Sequence, residues 1–279
     1  MSHLAVSKTY KLFIGGAFPR SESGRTYEAE GQNVARASRK DARDAVRAAR
    51  GAVAKWSGAT PYNRGQVLYR MAEMMETRAA DLAAVCSGEA EVERSIDRVV
   101  WYAGWADKLA QVLGGANPVA GPYFNFTIPE PTGVVGIVAP ETSSLLGLVS
   151  RLAPPLVSGN AVVLITSETR PLPAVTLSEV LATSDVPGGV VNILTGRKAE
   201  LVPVLAAHED VDAIDTWGVP ETLRTATELA AASDLKRLAR RPTTVSEARF
   251  DWLDDRATER PEWIAAYLEM KTVWHPIGI

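Results

Sequence analysis

The chain has 279 residues, with 33 acidic against 30 basic side chains and a formal net charge of −3 at pH 7. At this size roughly 75% of the unfolded surface can be buried, and one large domain or two ordinary ones fit the length. No basic stripe stands out and no apolar run reaches the roughly 18 residues of a membrane span, so nucleic acid and membranes are excluded as expected partners. A single cysteine rules out an internal disulfide framework and points to a reducing compartment, the cytoplasm. The first residues, MSHLAVSKTYKLF, lack the long apolar core of a secretion signal.

In chain order, Lys11 to Phe18 reads as a hairpin with Gly15-Gly16 at its turn. Asp41 to Trp56 carries Ala42, Ala45, Val46, Ala49, Val53 and Trp56 at helical spacing, with Ser38 as N-cap and Asp41 completing a capping-box pair. A second helix is expected from Pro61 to Val85, burying Val67, Leu68 and Met71, with Met74 and Met75 as core filler. Glu89 to Leu113 continues the helical pattern, and Trp101, Tyr102 and Trp105 form a packing face. Gly114-Gly115 and Asn117-Pro118 break it. Tyr123 to Ile128 alternates as an extended strand.

From Gly133 to Leu194 short apolar runs alternate with helical ones. Gly133 to Ala139 is rich in β-branched residues and is stopped by Pro140, which cannot continue a ladder. Leu145 to Val157 is a helix stopped by Ser158-Gly159-Asn160; Ala161 to Ile165 and Val190 to Leu194 are two more strands. Strands this apolar, alternating with helices, imply a parallel sheet covered on both faces: an α/β, Rossmann-like dinucleotide-binding architecture. Beyond it lie a short helix from Glu200 to Ala207, a fourth strand from Val211 to Thr216, and a helix from Pro220 to Ala232 with Pro at the first helical position. After Arg240 the pattern dissolves into a charged stretch with Pro at both ends. The final strand has Leu268, Met270, Thr272 and Trp274 on one face and Tyr267, Glu269, Lys271 and Val273 on the other.

Four words in this order, EPTGVVGIVAP, RLAPPLVSGNAVVLITSE, VPGGVVNILTG and HEDVDAIDTWG, resemble the cofactor domain of the aldehyde dehydrogenase superfamily. WYAGWADKL is similar to another family word, and the stretch from Tyr267 to Val273 resembles the family's closing strand. The resemblance implies a cofactor-type domain over 1–240, a charged linker over 241–261 in place of the catalytic domain, and an oligomerisation strand over 262–279. It also implies assembly through that strand, with Tyr267, Leu268, Met270, Thr272, Val273 and Trp274 as interface residues. The partner is a full-length aldehyde dehydrogenase or a second copy of the chain.

Aldehyde oxidation needs a thiolate nucleophile, an oxyanion hole and a carboxylate that activates water. The only cysteine, Cys86, lies in the helical N-terminal region and reads as a buried core residue. Pro140-Glu141-Thr142 stands where the family has Pro-Trp-Asn, and LKRLARRPTT follows Ser233 where the family has a glutamate. No catalytic residue is assigned.

The cofactor positions that remain are Ser167, Glu168 and Gly196. Ile165 replaces the family's ribose-binding lysine, and Gly218-Val219-Pro220-Glu221 replaces the Gly-Ser that faces the pyrophosphate. No tightly held cofactor is expected, and NAD at most weakly. The function implied is an inactive, aldehyde-dehydrogenase-like partner protein. Two other readings stand beside it. One is an NAD(P)-dependent aldehyde oxidoreductase or nucleotide-binding module with a rebuilt site, in which Glu168, Arg197 and Lys198 hold a nucleotide in another pose. The other is a product without a selected role, against which the clean patterning argues.

Overall fold

A computed structural model describes residues 8–242 and 244–278. At the N-terminal end, β1 (Thr9–Tyr10), β2 (Thr26–Ala29) and β3 (Gln32–Ala35) form a small sheet with β3 in the middle. The Gly15-Gly16 turn is present, closed by reciprocal backbone bonds of 3.0 Å between Ile14 and Ala17, with both glycines at positive φ. A second tight turn, Glu30-Gly31 between β2 and β3, has no such glycine pair and is not legible from pattern alone.

α1 (Arg39–Ser57) begins with the expected capping box. Ser38 N–H donates to Asp41 Oδ2 at 2.7 Å, and Asp41 N–H donates to Ser38 Oγ at 3.3 Å. The expected second helix divides into α2 (Pro61–Thr77) and α3 (Ala79–Ala83), because Arg78 leaves helical geometry. The third likewise divides into α4 (Glu89–Ala103) and α5 (Leu109–Leu113), with a run of turns after Gly104. The short β4 (Gly115–Asn117) and the long β5 (Tyr123–Pro131) follow.

The central sheet is assembled from β6 (Val134–Val138), α6 (Leu146–Val157), β7 (Ala161–Ile165), α7 (Leu172–Thr183), β8 (Val191–Leu194), α8 (Lys198–Ala206), β9 (Ala213–Asp215), α9 (Glu221–Ser233) and β10 (Arg237–Ala239). All neighbouring strands are parallel, in the order β10-β9-β6-β7-β8. Every residue of β6, β7, β8 and β9 is buried, as a sheet covered on both faces requires. β10 is the strand that the basic word LKRLARR concealed. Pro220 caps α9 from outside rather than opening it as the first helical residue.

Strand order reverses between β6 and β9. In open α/β sheets a crevice forms at such a point, beyond the carboxyl ends of the two strands.

The charged stretch after β10 packs on the domain. It carries α10 (Asp255–Thr258) and α11 (Pro261–Ala265), and its Phe250, Trp252 and Trp263 close on Trp217 with ring centroids 4.8, 5.3 and 5.5 Å away. Trp252 is buried, and interring contacts of this kind contribute about 0.5–1.5 kcal/mol each beyond area burial. β11 (Leu268–Pro276) then pairs antiparallel with β5 along its whole length, from Leu268 opposite Pro131 to Pro276 opposite Tyr123. In this third sheet, ordered β11-β5-β4, β11 is an edge. Among the described residues, no helix is long and apolar enough to cross a membrane.

Candidate functional site: the crevice between β6 and β9

The turns that leave β6 and β9 touch. Gly218 N–H donates to the Val138 carbonyl at 3.0 Å, and a Cβ on Gly218 would lie 2.0 Å from the Ala139 oxygen. Only glycine permits this approach, and it brings the two carboxyl-end loops together where a crevice would open.

Lys198, the first residue of α8, sends its stem into that junction and is 1% exposed. Its ammonium donates to the Ala139 carbonyl at 2.7 Å and the Gly218 carbonyl at 2.9 Å, and lies 2.5 Å from Glu141 Oε1. The buried charge is thus paired and hydrogen-bonded, the condition under which an ammonium persists away from water.

Glu141 is held from the other side by the loop after β7. Its carboxylate accepts from Ser167 Oγ at 2.6 Å, Glu168 N–H at 3.0 Å, and Thr169 Oγ1 at 3.0 Å. Burial works to raise its pKa, but the Lys198 ammonium and these hydrogen bonds outweigh burial and hold the carboxyl below its ordinary value. The side chain therefore behaves as an internal anion bound in a pocket of donors.

Two more carboxylates occupy the neighbouring donors. Glu168 accepts from the Lys198 N–H, the first amide of α8, and from Arg197 Nη1 at 3.3 Å. Glu247, from the stretch after β10, accepts from the amides of Glu141 at 2.6 Å and Thr142 at 3.1 Å. Arg241 links this part to the start of α9, lying 3.8 Å from Glu247 and 3.3 Å from Glu221. The amides of Glu141, Thr142, Glu168 and Lys198, which could receive an external anion, are spent on the chain's own carboxylates.

The residues singled out in the sequence fall as follows. Ser167 and Glu168 are at the crevice, but engaged with Glu141 and with Arg197 and the Lys198 amide. Gly196 sits at φ 154°, and a Cβ there would meet the Ala37 amide at 3.2 Å, so it serves close packing against the N-terminal segment. Ile165 is buried in the core. Cys86 is half-buried; its thiol donates to the Gly88 carbonyl at 3.4 Å, and burial pushes its pKa up, away from thiolate character.

At the closing strand, Tyr267 and Leu268 are buried within the chain, Val273 is half-buried, and Met270, Thr272 and Trp274 are exposed. Tyr267 donates to Asp215 Oδ2 at 2.5 Å and accepts from Arg151 Nη2 at 2.9 Å, while Arg151 Nε donates to Asp215 Oδ2 at 2.7 Å. Burial is the main force raising the Tyr267 hydroxyl far above its ordinary pKa. This buried triad ties α6, β9 and the residue before β11 together.

Sequence reasoning missed the inward course of Lys198, the part played by Glu247, and the Arg151–Asp215 pair. One signal was available: Asp215 stands inside the apolar run VDAIDTW, and a carboxylate in a buried strand demands a cationic partner.

The fold and the position of this crevice define an NAD-binding type of α/β domain, and comparisons with known proteins agree. The family model described as aldehyde dehydrogenase family matches residues 25–240. Retinal dehydrogenase 2 of Gallus gallus is 35% identical over 251 residues, 83% of this chain and 48% of that protein. Aldehyde dehydrogenase family 2 member B4, mitochondrial, of Arabidopsis thaliana is 34% identical over 245 residues, 81% of this chain and 45% of that protein. Among solved structures, HpcC from Thermus thermophilus superposes with a TM-score of 0.76 at 30% identity, over 83% of this chain and 47% of that one. The chain belongs to the aldehyde dehydrogenase family, and it spans about half the length of the curated relatives it matches.

Proposed function

We propose that the chain is a non-catalytic member of the aldehyde dehydrogenase family that acts as a structural or regulatory partner of a full-length aldehyde dehydrogenase, or of a second copy of itself. The observation that carries this reading is the Lys198–Glu141 pair in the crevice, 2.5 Å apart and surrounded by spent donors. NAD is the cofactor the family implies, and the residues present do not fit it. Phosphate oxygens would compete with Glu141, Glu168 and Glu247 for the same amides, and the carboxylates would repel them. Displacing a buried ion pair leaves uncompensated charge, so even a ligand of the right shape enters at a cost of several kcal/mol.

Three further observations support the absence of turnover. The Cys86 thiol is shifted away from its reactive form. The amides of Glu141 and Thr142, beside which the family places its oxyanion donor, are occupied by Glu247. The segment after β10 fills its space with an aromatic cluster around Trp217.

The partner role draws support from the third sheet, β11-β5-β4. β11 presents an edge of nine residues, and Trp274 and Met270 on it are 59% and 49% exposed beside exposed Tyr123 and Phe124 of β5. A long, partly apolar edge is a template for strand addition. The test is to mix the purified chain with full-length aldehyde dehydrogenases and follow mass by native mass spectrometry. Stable hetero- or homo-oligomers are expected, and their loss on Trp274→Lys. A strictly monomeric chain, indifferent to every such enzyme, overturns the partner role.

A further inference from the structure

A cavity of about 410 Å³ opens beside the crevice, beyond the carboxyl ends of β9 and β10. Its wall is aromatic: Trp217 from the β9 turn, with Phe250 and Trp263 from the segment after β10. Phe250 and Trp263 lie outside the stretch that the family model matches, whereas Arg151 and Trp217 lie within it. Its volume falls in the range of roughly 300–1,000 Å³ typical of small-molecule sites.

The lining carries three arginines, Arg151, Arg240 and Arg260, against one acid, Glu262, which lies 3.3 Å from Arg260; Arg240 lies 3.6 Å from Glu228, outside the lining. Arg240 and Arg260 are exposed, and their surface pairs with Glu228 and Glu262 are weak enough to be exchanged for a ligand carboxylate, whereas Arg151 is fixed at the wall by Asp215 and Tyr267. The Arg151 guanidinium carbon lies 4.3 Å from the Trp263 ring centroid and 5.2 Å from that of Trp217. Its Nη1 has no hydrogen-bond partner among the described residues, an unspent donor on a buried cation.

We propose that this cavity binds a small planar aromatic acid, its ring against Trp217, Phe250 and Trp263 and its carboxylate paired by Arg240 and Arg260. Aromatic walls supply stacking area, and guanidinium groups match a carboxylate in a planar, two-point geometry. A neutral aromatic would use only the first of these and a cation would be repelled. The site is separate from the crevice amides and stands whether or not the partner role does.

The test is a tryptophan-fluorescence titration of the full chain with 2-naphthoate, alongside its neutral isostere 2-naphthamide. Saturable quenching by the acid is expected, with the amide about tenfold weaker or worse, the worth of a charge-assisted pair. Arg240→Gln with Arg260→Gln should bring the acid down to the amide's affinity, since both arginines are exposed and the fold does not depend on them. Trp263→Leu should weaken binding of the acid while Trp263→Phe retains it, both followed by calorimetry because Trp217 still reports at the site, with circular dichroism confirming that both variants fold. Equal affinity for acid and amide, no response to the arginine changes, or no saturation at millimolar ligand overturns the proposal.

Discussion

The Lys198 ammonium lies 2.5 Å from the Glu141 carboxylate at the point where the order of the central sheet reverses. Each partner keeps other hydrogen bonds when the other is removed, but loses its only close counter-charge across the pair. Lys198→Met is expected to destabilise the fold by about 1–3 kcal/mol, below the range for a fully buried pair because the Glu141 side chain is 32% exposed. Glu141→Gln should cost at least as much, since it leaves the buried Lys198 ammonium with only the Ala139 and Gly218 carbonyls as partners. In urea denaturation the double variant should lose less than the sum, with a coupling of about 1 kcal/mol. Strict additivity would mean that the two groups do not act together.

The same pair sets a dependence on acid. Glu141 has a lower pKa folded than unfolded, so the folded state binds fewer protons. Its contribution is therefore present above the ordinary carboxylate value and is lost as pH falls through the depressed folded value. Melting temperature should fall on acidification through and below the ordinary carboxylate range. Glu141→Gln should flatten that limb relative to the unaltered chain while leaving the neutral region displaced by a constant amount.

The Arg151–Asp215–Tyr267 triad predicts a graded series. Tyr267→Phe removes one hydroxyl from a charged pair that otherwise persists and should cost about 1.5–3 kcal/mol. Asp215→Asn strands the buried Arg151 guanidinium and should cost about 3–5 kcal/mol. Chemical denaturation monitored by tryptophan fluorescence orders the two; a larger loss for Tyr267→Phe would contradict this account of the triad.

Substitutions on the β11 edge should separate assembly from folding. Met270→Lys and Trp274→Lys replace exposed side chains, so each should change stability by about 0.5 kcal/mol or less. Assembly, measured by light scattering after gel filtration, should nonetheless shift to smaller species. Weakened folding with unchanged mass would place these residues in the domain's own stability instead.

The parallel sheet was legible because its strands are short, wholly apolar and punctuated by Pro140 and Gly159, signals that act within a few residues. The Ser38–Asp41 capping box was legible for the same reason. β10 was not, because Arg237 and the basic residues after it read as solvated charge until the β9 ladder claims their backbone. The crevice was half legible. That Glu141 and Glu221 replace neutral family residues is visible in the sequence. That Glu141 turns onto Lys198 and Ser167, and that Glu247 arrives from more than a hundred residues away, depends on tertiary placement with no local signal. Tyr267 shows the same limit: alternation assigns it a face of the closing strand, whereas the partner it finds is Asp215 in the core.

The central claim is that the chain's own carboxylates and Lys198 occupy the place of a dinucleotide. Isothermal titration of the intact protein with NAD tests it most directly, with Lys198→Ala/Glu141→Ala as the opened comparison. The account predicts no saturable heat for the unaltered chain at millimolar NAD, with any binding confined to the opened variant. Saturable micromolar binding of NAD by the unaltered chain would contradict it.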